Sequence, residues 1–242
     1  MRIDVTLNPA EIGLLAGLDL SHTVCVVFDV LRATSTMTTA LEHGVKAIYP
    51  AVSIDEAWAL REKYPGALLG GERRGERIDG FDVGNSPLEH LQLAGKEIIT
   101  TTTNGTIALR ACAGAREVLA AALINIDAVA NYLARTEPQR IRIVCAGTGS
   151  HFALEDAIGG GALIARLPHG KKLADAGQLL LQAWRAAEPD PAAAIAASKN
   201  GQRLQEIGRA EEVAWCSQVG VSGAVGRLDG DKLLPVTLPD VS

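Results

Sequence analysis

The chain has 242 residues, of which 48% are hydrophobic, and its formal net charge is −5. This length is enough to bury a large core, and the acidic balance argues against nucleic acid or an anionic membrane surface as a partner. The first residues lack the basic and apolar pattern of a signal peptide. No apolar run reaches the roughly 18 residues that span a bilayer, and the four cysteines lack zinc-binding spacing. We therefore expect a cytoplasmic protein with neither membrane nor nucleic-acid partners.

Apolar runs that indicate strands alternate with helical patterns, which is typical of an α/β fold. Strands are predicted over 2–7, 24–28, 46–50, 67–70, 97–101, 117–121, 140–145 and 233–238. Helices are predicted over 34–43, 54–64, 106–113, 126–135 and 153–166. Residues 73–85 are polar and glycine-rich and match no regular element, whereas 171–216 are alanine-rich and helical, with breaks at Pro189, Pro191 and Gly201. We predict one domain over residues 1–242 with a helix-rich C-terminal portion.

The first of four polar strand ends is FDVLRATST, residues 28–36. Ligands of open α/β sheets bind beyond the carboxyl ends of strands, where Asp29 would present a carboxylate. Arg32 can form a two-pronged bond to an oxyanion, and Thr34 and Ser35 lie where a helix start would favour an anion. The alternative is an ordinary capped helix with a salt bridge between Asp29 and Arg32.

The second polar strand end is GERRGERIDGFDVGNSP, which combines arginines, acids and glycines in a way that suits a core poorly. Glu72 and Asp82 flank this loop beside apolar residues, so we expect them in a site. Arg74 and Glu76 are expected to be solvated, and Asn85 could hold either a ligand or a turn.

The third strand end, TTTTNGT, places Gly105 where the backbone could approach a ligand closely, although the Walker pattern is absent. The alternative is a threonine-rich strand that ends in a turn. The fourth, CAGTGSHFALEDA, has an incomplete dinucleotide fingerprint, because Phe152 replaces the third small residue. Glu155 and Asp156 follow at a helix start, where acids are either ordinary dipole partners or ligand-facing groups.

Several acids and several anion-binding features thus converge on one predicted edge of the sheet. Carboxylates repel an anionic ligand, and a hard cation removes the conflict because Mg²⁺ takes a few carboxylates together with waters and phosphate oxygens. The residues by themselves therefore predict metal-assisted handling of a small phosphorylated anion.

The motifs DVLRATST, GER…GFDVGNSP, TTTNGT and ALED occur here in the order seen in the 2-phosphosulfolactate phosphatase (ComB) family, and the resemblance extends from Val24 to about Val219. It implies a three-layer α/β/α fold, for which we expect a mixed, largely parallel central sheet. It also implies Mg²⁺-dependent hydrolysis of (2R)-phosphosulfolactate to sulfolactate and phosphate, a step of coenzyme M synthesis.

Carried onto this sequence, the resemblance gives a set of expected site residues. We assign catalytic roles to Asp29, Glu72 and Asp156. Substrate binding is assigned to Arg32, Thr34, Ser35, Arg73, Asn85, Asn104 and Gly105. The Mg²⁺ ligands are assigned as Asp29, Asp82, Glu155 and Asp156.

Two roles for Asp29 stay open, metal ligand or nucleophile that forms an aspartyl-phosphate. Phosphatases of the second kind generally carry another Asp two residues later, and this chain has Leu31 there, which favours the metal-ligand role.

Two other functions compete with this one. The same scaffold could act on another phosphorylated organic acid, or the chain could be a non-catalytic module that binds anionic metabolites or nucleotides. The number of acids argues against a simple anion binder. The expected partner is a small anionic phosphorylated substrate, and assembly into a homo-oligomer is left open.

Overall fold

The computed structural model describes residues 1–236, which form an α/β fold with a large, mostly parallel sheet flanked by helices. The strands are β1 (Arg2–Thr6), β2 (Thr23–Phe28), β3 (Ala47–Ala51), β4 (Leu68–Arg73), β5 (Glu76–Arg77), β6 (Glu97–Thr101), β7 (Glu117–Ala121), β8 (Arg140–Cys145), β9 (Lys172–Leu173), β10 (Gly226–Asp229) and β11 (Lys232–Pro235). The α-helices are α1 (Pro9–Ile12), α2 (Ala33–Glu42), α3 (Ile54–Lys63), α4 (Gly105–Ala111), α5 (Ile126–Thr136), α6 (Leu154–Arg166), α7 (Asp175–Ala187), α8 (Pro191–Ala196), α9 (Lys199–Glu206) and α10 (Ala210–Cys216). No helix within residues 1–236 is long and apolar enough to cross a membrane.

Strand β2 shows why the central strands form from continuous apolar runs. All six of its residues are buried, as expected for a parallel strand that is covered on both faces. Val24, Val26 and Phe28 contribute to one core, whereas Cys25 and Val27 contribute to the core on the opposite face. The sheet is therefore the middle of three layers.

The helices divide between the two faces of the sheet. Helices α2 and α4 pack over one face, and their core includes Met37 and Leu109. The other face carries α5, α6 and α7 over one end and α3 over the other end, which creates two further clusters. The predicted three-layer fold and mixed sheet are confirmed.

The strand order is β5-β4-β6-β3-β11-β10-β7-β2-β8-β1-β9. Strands β4, β6 and β3 form one parallel group, and β7, β2, β8, β1 and β9 form a second. The hairpin of β10 and β11 lies between the groups and runs antiparallel to both neighbours, with Leu233 opposite Ile48 and Gly226 opposite Ala120. Among residues 1–236, this hairpin is the only strand pairing that joins the two groups.

The strands and helices predicted over the ranges given above between residues 2 and 166 are confirmed, with ends that differ by a few residues. The pattern SPLE at residues 86–89 also predicts a helix start, but it begins only the short 3-10 helix Pro87–His90, and Ser86 makes no side-chain cap bond. The prediction that 73–85 contains no regular element is wrong at its start, because β4 continues to Arg73 and turns back into β5. Two glycines hide the strand pattern, and Gly71 is needed there because a Cβ would lie 2.1 Å from the carbonyl oxygen of Thr101.

The C-terminal portion is helical as predicted, but Gly201 lies inside α9 and does not break it. A single glycine costs a helix only about 1 kcal/mol. The predicted strand 233–238 is confirmed as β11 for its described part, and its last residues lie outside residues 1–236. Strand β10 is missed because its sequence, GRLD, has no apolar run.

Candidate active site

The segments that follow β2, β4, β6 and β8 meet around one cavity of about 510 Å³. The four polar strand ends identified in the sequence are thus brought together. The predicted site residues that line the cavity are Asp29, Arg32, Glu72, Asn85, Asn104 and Glu155. The other predicted residues, Thr34, Ser35, Arg73, Asp82, Gly105 and Asp156, lie outside its lining.

Asp29 is buried at the end of β2, and the start of α2 holds it in place. Its Oδ1 accepts a hydrogen bond from the Ala33 backbone N–H at 3.1 Å. The Thr34 hydroxyl bonds both the N–H and the carbonyl of Asp29 at 2.9 Å, and the Ser35 hydroxyl donates to the Val30 carbonyl at 2.8 Å. Both hydroxyls are fully buried, so the structure places them where they fix the turn behind Asp29.

Glu72 joins two loops at the wall of the cavity. Its Oε1 accepts from the backbone N–H and the hydroxyl of Thr103, each at 2.9 Å. Its Oε2 accepts from the Gly75 N–H at 2.8 Å. These bonds attach the end of β4 to the loop after β6, so Glu72 positions the wall as well as contributing charge.

Burial together with neighbouring acids changes the protonation of the cavity carboxylates. Burial is the main cause that raises the pKa of Asp29 to about 7, and Glu72 and Glu155 raise it further. The Ala33 N–H and the Arg32 guanidinium act in the opposite direction. Burial also raises the pKa of Glu155, against side-chain hydrogen bonds from Ser198 and Asn200. A bound cation would remove this repulsion.

Asp156 lies next to Glu155 in the sequence but beneath the cavity. Its two oxygens accept from the Val30 N–H at 2.8 Å and the Gly147 N–H at 2.9 Å. It therefore ties the loop after β2 to the loop after β8. Burial, followed by the charges of Asp29 and Glu155, raises its pKa well above the usual range.

Arg32 is buried and forms an ion pair with Glu212 of α10. Its Nη2 also donates to the Gly75 carbonyl at 2.8 Å. No ion pair between Asp29 and Arg32 exists among the described residues, so the alternative of a simple salt bridge is wrong. The guanidinium instead links the cavity to the C-terminal helices.

Asn104 connects two of the loops. Its side-chain N–H groups donate to the carbonyls of Ala146 and Gly149 at 2.9 and 3.0 Å, and its Oδ1 accepts from the Gly149 N–H at 2.9 Å. Gly105 begins α4 directly against Asp29, because a Cβ there would lie 2.6 Å from Asp29 Oδ2 and 2.5 Å from Ala33 Cβ. Its bare α-carbon is what permits this approach.

The structure does not bring Arg73 or Asp82 to the cavity. Arg73 donates to the Glu72 carbonyl at 2.7 Å and to the Thr101 hydroxyl at 3.0 Å. Asp82 pairs with Arg61 at 3.1 Å and accepts from the Leu69 N–H at 2.7 Å, with 41% of its side chain exposed. Both side chains make contacts around β4 and do not reach the cavity.

The part of the cavity that comes from α9 and from the turn after β4 was not predicted from the sequence. These residues are Arg74, Lys199, Asn200, Arg203 and Leu204. Asn200 donates to the Leu31 carbonyl at 2.6 Å, which holds the start of α9 against the loop after β2. Only the charges of α9, within the alanine-rich region 171–216, could have drawn attention to it, and such charges usually indicate a solvated face.

Within residues 1–236, no group of three or more His, Cys, Asp or Glu side chains is arranged to hold a metal ion. A site made of three or more such side chains is therefore not present in this range. Mg²⁺ is commonly held by one or two carboxylates with waters and phosphate oxygens, and Asp29 and Glu155 fit that simpler arrangement. The fold and this cavity define an α/β protein with an acid-lined cavity where four polar strand ends meet.

Comparisons with known proteins identify the family. A family model described as 2-phosphosulpholactate phosphatase matches residues 14–231. Proteins named probable 2-phosphosulfolactate phosphatase are similar over most of their length: one from Carboxydothermus hydrogenoformans is 39% identical, covering 97% of both chains. One from Symbiobacterium thermophilum is 38% identical, covering 89% of this chain and 92% of its own. The chain therefore belongs to the 2-phosphosulpholactate phosphatase family, whose members are hydrolases, and the resemblance seen in the motifs is confirmed.

Proposed function

We propose that the chain hydrolyses (2R)-2-phospho-3-sulfolactate to (2R)-3-sulfolactate and phosphate with Mg²⁺, as a cytoplasmic step of coenzyme M synthesis. The observation that carries the proposal is one cavity lined by three acids, Asp29, Glu72 and Glu155, and by several cations. The names of the two relatives, probable 2-phosphosulfolactate phosphatase, support this substrate. The four unpaired cysteines support a reducing compartment.

Asp29 and Glu155 are the residues that would hold Mg²⁺. Both carboxylates line the cavity, and the pKa of each is raised by burial, so each gains from a neighbouring cation. The ion would offset substrate charge and polarise the phosphoryl group. The Ala33 N–H keeps the Asp29 carboxylate in place.

The remaining residues bind and orient the anion. The substrate carries about four negative charges near neutral pH, because its phosphate is nearly fully ionised. Arg32 faces the cavity with its guanidinium fixed by Glu212 and by the Gly75 carbonyl, so little side-chain freedom is lost on binding. Asn104 and Glu72 hold the surrounding loops, which keeps the cavity shaped before the substrate arrives.

We infer that Asp29 is a ligand and not a nucleophile. Leu31 lies two residues later, where phosphatases that form an aspartyl-phosphate place a second acid, and Leu31 is buried. Direct attack by water inverts the configuration at phosphorus, whereas passage through an aspartyl-phosphate retains it. A substrate made chiral with oxygen isotopes should therefore give inversion, and retention would overturn this assignment.

Phosphate release tests the function itself. The purified protein should release phosphate from 2-phosphosulfolactate when Mg²⁺ is added, and a chelator should abolish the release. Activity that survives thorough chelation would contradict the metal role. Faster release from a phosphorylated organic acid without the sulfonate would instead support the second candidate, the same scaffold with another substrate.

A further inference from the structure

Three cationic side chains line the exposed part of the cavity, which we call its mouth. They are Arg74, Lys199 and Arg203, and all three residues are exposed, whereas Asp29, Glu72 and Glu155 are buried. Within residues 1–236, none of the three cations lies within salt-bridge distance of a carboxylate, although most other arginines beside the sheet do. The cavity therefore has an acidic inner part and a positive mouth whose charge the protein does not neutralise.

Arg74 occupies a backbone position that its residue type disfavours. It forms a two-residue hairpin turn with Gly75 between β4 and β5, and both residues have positive φ, 57° and 83°. Turns of this kind favour Asn, Asp or Gly at the first position, because a longer side chain crowds the left-handed backbone. An arginine at this position contradicts the local preference, and such conflicts cluster at functional sites.

Helix α9 supplies the other two cations on one face. Lys199 and Arg203 are four residues apart, one turn along the helix, so their side chains are neighbours. Arg203 donates to the Arg74 carbonyl at 2.5 Å, and Asn200 donates to the Leu31 carbonyl at 2.6 Å. These bonds hold α9 and the turn together across the cavity mouth.

We propose that Arg74, Lys199 and Arg203 form a distal anion subsite, which binds the non-reacting sulfonate or carboxylate of the substrate. This inference rests on the proposed function and adds the part of the site that selects among phosphate esters. The inner acids repel an anion, and the buried cation of the lining, Arg32, is already paired with Glu212, so a second anionic group is more stable at the mouth. A guanidinium pair and an ammonium suit a sulfonate, whose three oxygens all accept hydrogen bonds.

The test is substrate selectivity in the Mg²⁺-loaded enzyme. We define the selectivity ratio as kcat/KM for 2-phosphosulfolactate divided by kcat/KM for p-nitrophenyl phosphate, which has no distal anion. Lys199→Met and Arg203→Met should each lower this ratio about tenfold, mainly through KM, since one charge-assisted hydrogen bond is lost. The control is Lys96→Met, because Lys96 is exposed and precedes β6, at the end of that strand away from the cavity.

Arg74→Asn distinguishes a role of Arg74 in substrate binding from a role in protein stability. Asparagine suits a positive φ better than arginine does, so the melting temperature should stay the same or rise. The selectivity ratio should nevertheless fall about tenfold, through the same loss of a charged contact. A residue with a merely structural role would not show a fall in selectivity together with unchanged or higher stability.

The outcomes separate this inference from the proposed function. If the parent prefers 2-phosphosulfolactate and all three variants keep the parent ratio, the subsite is wrong and the proposed function stands. If the parent prefers a phosphate ester that carries a carboxylate and no sulfonate, such as 2-phospholactate, the proposed substrate is wrong. The same variants should then lose that preference. If no ester is hydrolysed, calorimetric binding of 3-sulfolactate decides, because Lys199→Met should weaken it about tenfold and equal affinity would overturn the subsite.

Discussion

At the scale of single residues, Glu155 and Asp156 show how neighbouring acids acquire different roles. Glu155 lines the cavity, and Asp156 accepts two backbone N–H groups beneath it. A carboxylate that satisfies two backbone donors cannot be replaced by an amide without placing an N–H group against another N–H group. We therefore expect the two side chains to respond differently to conversion into amides.

Glu155→Gln should lower phosphate release about 100-fold or more, as loss of a metal-site ligand would. Its thermal stability should change little, because the glutamine keeps the shape and removes charge from a crowded set of acids. Asp156→Asn should instead lower the free energy of unfolding by about 1–3 kcal/mol, since a buried donor loses its acceptor. Chemical denaturation and phosphate assays on both variants check this, and full activity in Glu155→Gln would contradict the assignment.

Asp29 should make the stability of the metal-free protein depend on pH. Its pKa is raised to about 7 in the folded protein from an ordinary value of 3.8. Between these two pH values Asp29 is protonated in the folded state and ionised in the unfolded chain. The free energy of unfolding therefore falls as pH rises through this window, and the full penalty is present above about pH 7. Relative to the parent, Asp29→Asn should gain about 3 kcal/mol between about pH 5 and about pH 8.

This comparison is made by denaturant unfolding in the presence of a chelator. Taking the difference between variant and parent cancels the titration of shared residues that lie away from Asp29. A difference that stays constant over the pH range would show that Asp29 titrates near its ordinary pKa. Excess Mg²⁺ should restore the stability of the parent at high pH, because a bound cation offsets the charge of Asp29 as the proton does.

At this scale the acids could be predicted from the sequence, whereas the structural role of the hydroxyls of Thr34 and Ser35 could not. Asp29 and Glu155 were predictable because each is an acid that follows the end of a strand, β2 or β8, where ligands of α/β sheets bind. Thr34 and Ser35 were expected to bind substrate, but the structure uses them to hold the backbone of the turn. A hydroxyl near a helix start serves either purpose, and only the direction of the side chain distinguishes them.

At the scale of elements, the start of α4 packs so closely against Asp29 that a side chain at Gly105 would overlap it. Gly105→Ala would place a methyl group 2.6 Å from the carboxylate, so α4 or Asp29 must move. We expect a loss of about 1–3 kcal/mol in the free energy of unfolding together with a marked loss of activity. Gly114→Ala is the control, because a Cβ there meets nothing within 4 Å. Equal stability and activity in the two variants would contradict the close packing.

The elements of the first two thirds of the chain were predictable because each has a local signal. Strands such as β2 are apolar runs, and helices such as α3 begin at a capping serine, Ser53, which accepts from the Glu56 N–H. The contribution of α9 to the cavity has no such signal. It depends on tertiary contacts such as that between Asn200 and Leu31, which are far apart in the sequence.

At the scale of the whole molecule, the two parallel groups of strands depend on the C-terminal hairpin that joins them. A chain that ends at Gly223 lacks β10 and β11, and we expect it to lose cooperative unfolding. Within the full chain, Leu233→Ala should cost about 2–5 kcal/mol, because Leu233 is fully buried between the groups. Asp229→Ala, an exposed change in the same hairpin, should cost less than about 0.5 kcal/mol.

Urea unfolding followed by circular dichroism measures all three changes. The shortened chain should show a broad transition with a lower slope, because each group would unfold separately. A single sharp transition with the parent's midpoint would mean that helices alone hold the two groups together.

The position of this hairpin has a consequence for the order in which the protein can fold during its synthesis. Ile48 leaves the ribosome long before Leu233, its partner across the sheet, is made. Until then β3 and β7 each present an unpaired edge, and unpaired edges are sites of association with other chains. The two groups of this nascent chain can therefore be joined only after the hairpin has been made, and the interval before that is when the protein is most exposed to aggregation and most dependent on chaperones.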